Sequence, residues 1–206
     1  MDKNKIMTAK GGSTYGGKAI IEVSGHHCHI SRKDLDVIYG KNYQLTPLKT
    51  LSQNKQFAAK ETVTVAVGDK KIEDVRILGP ERKNTQVEVS LTEAYHLKIK
   101  PPVAECTCPD KIDGCVIAEI SGPKGKIKRC SIIIAYRHFH TDPKTAQKIG
   151  LKNGQLISLK TTGQRSVTFH NILVRVNENF KPRVHLDTDE ANAAGLKDGQ
   201  TGEIII

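Results

Sequence analysis

Histidine occurs twice in this chain as a His-x-His pair, His27/His29 and His138/His140. A neutral imidazole is a nitrogen ligand for divalent metals. Alternate side chains of an extended strand share a face, so each pair can aim two imidazoles into one space. Aligning His29, His140 and His185 brings their surroundings into register. Two residues after each comes a helix-capping type (Ser31, Asp142, Asp187); four further on is Leu35, Ala146 or Ala191; then a glycine follows at Gly40, Gly150 or Gly195. A fourth copy, Glu88-Val89-Ser90-Leu91-Thr92-Glu93-Ala94, carries Glu88 where the others carry histidine. Repetition alone could be a relic of duplication, and a lone His-x-His on a strand is more often an exposed pair. All four copies, however, put a metal-ligand type at one equivalent position. The set is His27, His29, Glu88, His138, His140 and His185, too many for one tetrahedral zinc and suited to two metal ions.

The elements that must position these groups are strand ends that turn into short helices. Ser, Thr, Asp and Asn accept hydrogen bonds from the free amides of a first helical turn. Ser90-x-x-Glu93 and Asp187-x-x-Glu190 have capping-box spacing, and Pro143 suits a first helical position. The phrase Gly-Leu-Lys-(Asn/Asp)-Gly-Gln stands at Gly150 and again at Gly195, which marks an internal duplication. Strands are expected at Ala19 to Val23, Glu61 to Val67, Ile72 to Leu78, Thr85 to Val89, Val116 to Ile120 and Ile132 to Ala135. Later ones are expected at Leu156 to Leu159, Ser166 to Phe169, Ile172 to Val176 and Arg183 to Leu186. Helices are expected at Asp34 to Tyr39, from Leu91, and after Asp142 and Asp187. Residues 41 to 60 read as a long polar loop, and Gly79 to Asn84 as a basic turn.

Many short strands with brief helices at their ends make a mainly β chain of two related small β-barrels. The boundary falls near residue 136, with the first barrel over 26–136 and the metal site where the halves meet. Residues 1–17 read as a flexible tail, its glycines interrupting any amphipathic helix.

The 206 residues can bury a real core, and 37% hydrophobic with 26% charged residues is a globular composition. No apolar run is long enough to span a membrane, and no signal peptide is apparent. Five cysteines without scaffold spacing suggest reduced thiols and a cytoplasmic protein. The net charge of +10 suits a polyanionic partner, either nucleic acid or a phosphorylated cofactor. With five Tyr, four Phe and no Trp there is little for base stacking, which argues against nucleic acid.

Other reactive residues are weighed singly. His26 breaks the repeat and is expected to meet solvent; His96 and His170 match no repeat position. Cys28 falls on the opposite strand face from its neighbours and is expected in the core. Cys106-x-Cys108 with Cys115 lacks a second pair to complete a zinc ribbon, so a plain loop is expected. Arg82, six residues before Glu88, could hold a phosphate bidentately beside the metals, although most arginines in basic turns are solvated. Arg137 and Arg183 neighbour ligand positions. No serine or cysteine stands beside a base in the sequence.

From about residue 20 to 206 the chain resembles the PduL-type phosphate propanoyltransferases (phosphotransacylases). The resemblance is carried by Val23 to Ser31, Leu45-Thr46-Pro47-Leu48, Gln56 to Val63, Leu78 to Ser90, Arg137-His138-Phe139-His140 and His185 to Ala191. It implies two helix-capped barrels in which the N-terminal strand, 18–25, joins residues 137–206 in the second. It also implies two zinc ions, one on His27, His29 and Glu88, the other on His138, His140 and His185, with Arg82 matching the family's phosphate-binding arginine. The implied reaction is acyl-CoA (propanoyl-CoA or acetyl-CoA) plus phosphate giving acyl phosphate plus coenzyme A. A homodimer, a place in a bacterial microcompartment and a link to propanediol degradation come with the same resemblance. The family usually has Asn-Arg before its first pair, where this chain has Gly25-His26. The alternative on the same ligands is a two-metal phosphoester hydrolase, which needs no thiol cofactor.

Overall fold

The computed structural model describes residues 14–105 and 114–206. In its first half the elements are β1 (Thr14–Ser24), β2 (His27–Ser31), α1 (Arg32–Tyr39), β3 (Pro47–Thr50), β4 (Phe57–Val67), β5 (Lys70–Arg82), β6 (Gln86–Glu88), α2 (Leu91–His96), β7 (Val103–Ala104), β8 (Val116–Ser121) and β9 (Lys126–Ala135). In the second half come β10 (His138–Thr141), α3 (Pro143–Ile149), β11 (Leu156–Lys160), β12 (Thr168–Val176), β13 (Arg183–Asp187), α4 (Thr188–Ala194) and β14 (Thr201–Ile205).

Two six-stranded rings result. One closes as β4-β5-β2-β6-β9-β8 and back to β4, with β3 and β7 added at β4 and β9. The other closes as β1-β13-β10-β12-β11-β14. Their connectivity matches strand for strand. The pairs β2-β5 and β10-β12 are parallel, β2-β6 and β10-β13 antiparallel, β6-β9 and β13-β1 parallel. Thus β1, first in the chain, fills in the second ring the place that β9 fills in the first.

All four expected caps start helices. Ser31, Ser90, Asp142 and Asp187 each accept from the amide three residues on, and Ser90/Glu93 and Asp187/Glu190 form complete capping boxes. The repeated phrase makes the same turn twice: Lys152 N donates to Gln155 Oε1 and Lys197 N to Gln200 Oε1. Gly154 (φ 81°) and Gly199 (φ 86°) occupy the left-handed position that glycine adopts without steric cost.

Strict alternation keeps ligand positions off the core. Cys28 and Ile30 sit fully buried in the first barrel with Leu35, Ile77, Val87 and Ile132. Phe139, between the second histidine pair, packs with Ile21, Leu159, Ile172 and Val184 in the second barrel. His27, His29, His138 and His140 therefore take the opposite face.

The structure departs from the sequence reading at several points. β5 does not turn at Gly79 but runs on to Arg82, because Gly79 leaves room for the Phe57 ring, which any Cβ there would strike. β1 begins at Thr14, inside the expected tail, where it pairs with Ile205 of β14. The 41–60 loop contains β3 and the start of β4, one β12 replaces two expected strands, and β14 had no clear signal. The expectation of reduced thiols fails at Cys115 and Cys130, which form a disulfide: β8 and β9 pair side by side and bring their Cα atoms to 5.7 Å, within bridging range. The argument from reduced thiols to a cytoplasmic compartment loses that support. Cys28 is free and buried; Cys106, Cys108 and residues 1–13 of the tail lie outside the described residues. No helix among the described residues is long and apolar enough to cross a membrane.

The first cap is locked by a buried carboxylate. Arg129 Nη2 donates to Asp34 Oδ1 at 2.6 Å and Thr85 Oγ1 to Asp34 Oδ2, while Thr85 Oγ1 also accepts from Ser31 N. Burial alone would raise the Asp34 pKa. Hydrogen bonds from Arg129, Thr85 and Ser31 outweigh it and hold the carboxyl below its usual range. Asp34→Asn is expected to cost about 2–3 kcal/mol, the scale of hydrogen bonds to a charged group. Because the folded pKa is depressed, this difference is full above pH 3.8 and fades as pH falls through the folded pKa. Urea unfolding of both proteins at neutral and acid pH measures it.

Candidate metal centre

A single rule of strand pairing assembles both halves of the site. β6 runs antiparallel to β2 and sets Glu88 opposite His27; β13 runs antiparallel to β10 and sets His185 opposite His138. The outcome is two triads, His27/His29/Glu88 and His138/His140/His185, each with its three ligand atoms within 4.8 Å of one another. In the first, His27 Nε2 and His29 Nε2 lie 3.4 and 3.8 Å from the Glu88 oxygens. In the second, the His138 and His185 rings stack at 4.8 Å, with His140 4.5 Å from His138 and 4.7 Å from His185. Both triads line one cavity of about 510 Å³, to which both barrels contribute.

The leading histidine of each pair is oriented in the same way. His27 Nδ1 donates to the Gly25 carbonyl at 2.9 Å and His138 Nδ1 to the Tyr136 carbonyl at 2.7 Å. A carbonyl can only accept, so the proton sits on Nδ1 and the Nε2 lone pair is left for a ligand. Among the described residues, neither ring nitrogen of buried His140 has a hydrogen-bond partner. An unsatisfied buried polar atom costs about 1–3 kcal/mol, and a bound cation would remove that cost. The residues present thus fit a metal.

Electrostatics point the same way. Burial pushes His138 down to about 4 and drives His140 and His185 well below the usual imidazole range. His29 is lowered by burial and by the Arg82 charge. These imidazoles are neutral at pH 7, the form that binds metal. Burial would lower His27 as well, but the Glu88 charge and hydrogen bond raise it. Burial would raise Glu88, and the His27 charge overrides it, keeping the carboxylate ionised.

Arg82, half-buried beside Ser31, lines the same cavity together with Arg76 and Arg175. Arg137 pairs with Glu190 (2.6 Å), and Arg183 with Glu22 (3.3 Å) and the Pro182 carbonyl. His26 does not simply meet solvent: its Nδ1 pairs with Glu93 at 2.5 Å, and that hydrogen bond raises its pKa. His170 pairs with Ser158 and exposed His96 ends α2, so neither joins the site.

Four neighbours of the site escaped the sequence reading. Phe180 stacks on His140 at 3.8 Å, and Gln53 Nε2 stands 3.5 Å from His185 Nε2. Ser52 Oγ donates to Glu22 Oε2 at 2.7 Å, so one serine does stand beside a carboxylate, 30 residues away in sequence. Glu22 Oε2 is itself 3.7 Å from His185 Nε2. The signal for Glu22 was its alternation with buried Ile21, but its nearness in sequence to His27 hides its placement beside the other triad.

A family model described as phosphate propanoyltransferase matches residues 20–197. A phosphate propanoyltransferase of Thermotoga maritima is 44% identical over 188 residues, covering 90% of this chain and 88% of the relative. One of Clostridioides difficile is 39% identical over 186 residues, with the same coverage. One of Lachnoclostridium phytofermentans is 42% identical over 207 residues, covering 98% of this chain and 93% of its own.

Proposed function

The chain belongs to the phosphate propanoyltransferase family, and from that membership we propose that it transfers a short acyl group, propanoyl or acetyl, between coenzyme A and inorganic phosphate at a two-zinc site. The observation that carries this reading is the pair of triads opening onto one arginine-lined cavity. His27, His29 and Glu88 would hold one ion, and His138, His140 and His185 the other. When bound, the cations polarise the acyl carbonyl and offset the charge of phosphate and of the departing thiolate.

The chain's own groups do the positioning. The Arg82 guanidinium offers two parallel N–H donors to phosphate and fixes it for attack, which lowers the entropic cost of joining two substrates. A phosphate oxygen forms the new bond to the acyl carbon as the C–S bond breaks, and the proton lost by phosphate ends on the thiol. Transfer is direct, with no acyl-enzyme. Cys28 is sealed in the core, its thiol pushed up to about 12 by burial. The Ser52 hydroxyl is engaged with Glu22, a carboxylate and not an imidazole base.

The test is release of free thiol from propanoyl-CoA and acetyl-CoA with and without phosphate, alongside hydrolysis of a simple phosphoester. Phosphate-dependent release with no phosphoester cleavage is expected. Thiol release that ignores phosphate, or phosphoester turnover, would sink the reading in favour of a two-metal hydrolase.

A further inference from the structure

The residue just ahead of each histidine pair is tied down in the same way. His26 precedes His27, and its Nδ1 donates to Glu93 Oε1 at 2.5 Å. Arg137 precedes His138, and its Nε lies 2.6 Å from Glu190 Oε1. The second oxygen of each glutamate accepts from the backbone: Glu93 Oε2 from Ser90 N at 2.8 Å, and Glu190 Oε2 from Asp187 N at 3.1 Å. Ser90 and Asp187 stand two residues past Glu88 and His185, which face His27 and His138 across the antiparallel pairs. One carboxylate thus joins the start of β2 to the end of β6, and another joins the start of β10 to the end of β13.

Helix capping explains only half of this contact. A capping box needs the backbone bond alone, and glutamine can stand in it for glutamate. The cation on the other oxygen is an addition, and it recurs at both boxes with similar burial. Side-chain exposures are 34% for His26 and 23% for Glu93, against 34% for Arg137 and 18% for Glu190. What the addition fixes is the span between facing ligands. Donors bound to one tetrahedral zinc at about 2.0–2.1 Å stand roughly 3.4 Å apart. The ligand atoms of each triad already lie within 4.8 Å of one another, and strand ends free to drift apart would lose that preorganisation.

We propose that Glu93 with His26, and Glu190 with Arg137, are positioning residues: two equivalent clamps, each holding one triad at the span its cation requires. None of the four is a metal ligand; each acts through the strand ends that carry the ligands. This rests on the two-cation reading above. The clamps share no residue, so loosening one should weaken one ion and spare the other.

The experiment measures zinc per chain after dialysis and the affinity of each zinc by competition with a chromogenic chelator, with visible spectra of the cobalt-substituted protein. Wild type is expected to hold two ions, and Glu88→Ala and His138→Ala, each keeping one, assign the cobalt bands. In Glu93→Gln one acceptor oxygen faces two donors, so the tie breaks whichever way the amide turns. This variant should bind the first ion about tenfold more weakly and the second as before. Glu190→Gln should do the reverse. His26→Ala and Arg137→Ala leave the capping boxes whole and should give the same one-sided losses. His26→Arg, which copies the second clamp, should keep both ions at wild-type affinity. Undiminished affinity for both ions in a glutamine variant, or equal weakening of both, would overturn the clamp it tests. So would a lower melting temperature of the metal-free variant with no selective loss of an ion, the mark of a helix cap alone. A wild type holding fewer than two ions would instead overturn the two-cation reading. Should a glutamine variant not fold, the matching alanine variant decides by the same criteria.

Discussion

Glu88→Ala is expected to halve the bound zinc and reduce acyl transfer by about 10³-fold or more, on the scale of losing a key electrostatic group from an active site. Glu88 is the only anion of the first triad, so its removal leaves two neutral imidazoles, too few to retain a divalent ion through dialysis. The fold should survive. β6 is held by Val87 and Val89, both buried, and by pairing to β2 and β9, none of which needs the carboxylate. Nor is an uncompensated charge left behind, because His27 can shed its proton once Glu88 is gone. Metal-free variant and metal-free wild type should thus melt within a few degrees of each other. Retention of both ions would show that the triad is not a zinc site. His138→Ala should remove the other ion by the same reasoning.

Arg82→Ala is expected to lower kcat/KM for phosphate by about 10²–10³-fold, the loss of a bidentate charge-assisted contact at a reacting group, with zinc content unchanged. The substitution changes none of the proposed metal ligands themselves. Arg82→Lys should recover part of the loss, since an ammonium restores the charge but not the two-pronged fork. Phosphate saturation curves at fixed acyl-CoA, with metal analysis of the same samples, decide the matter. An equal fall in affinity for acyl-CoA, or lost zinc, would assign Arg82 a different role.

What could be read without coordinates was whatever depends on local rules. Side-chain alternation separated Cys28 from the histidines around it, and cap chemistry located all four helix starts. What could not be read depends on distant contacts. Gly79 continues a strand only because the Phe57 ring lies against it, and Cys115 meets Cys130 only because β8 and β9 are neighbours. Ser52 and Gln53 reach the second triad from a stretch that reads as loop, and Glu22 does so through strand pairing with residues some 160 positions away.

That same arrangement of β1 and β14 imposes an order on biosynthesis. The first barrel has all six of its strands once residue 135 has left the ribosome, whereas the second must bring together residues 14–24 and 201–205. At about 5–20 residues per second, β1 waits roughly 10–40 s for its partner. The cavity shared by the barrels, and any cargo it takes up, can therefore be assembled only after β13 and β14 have been made.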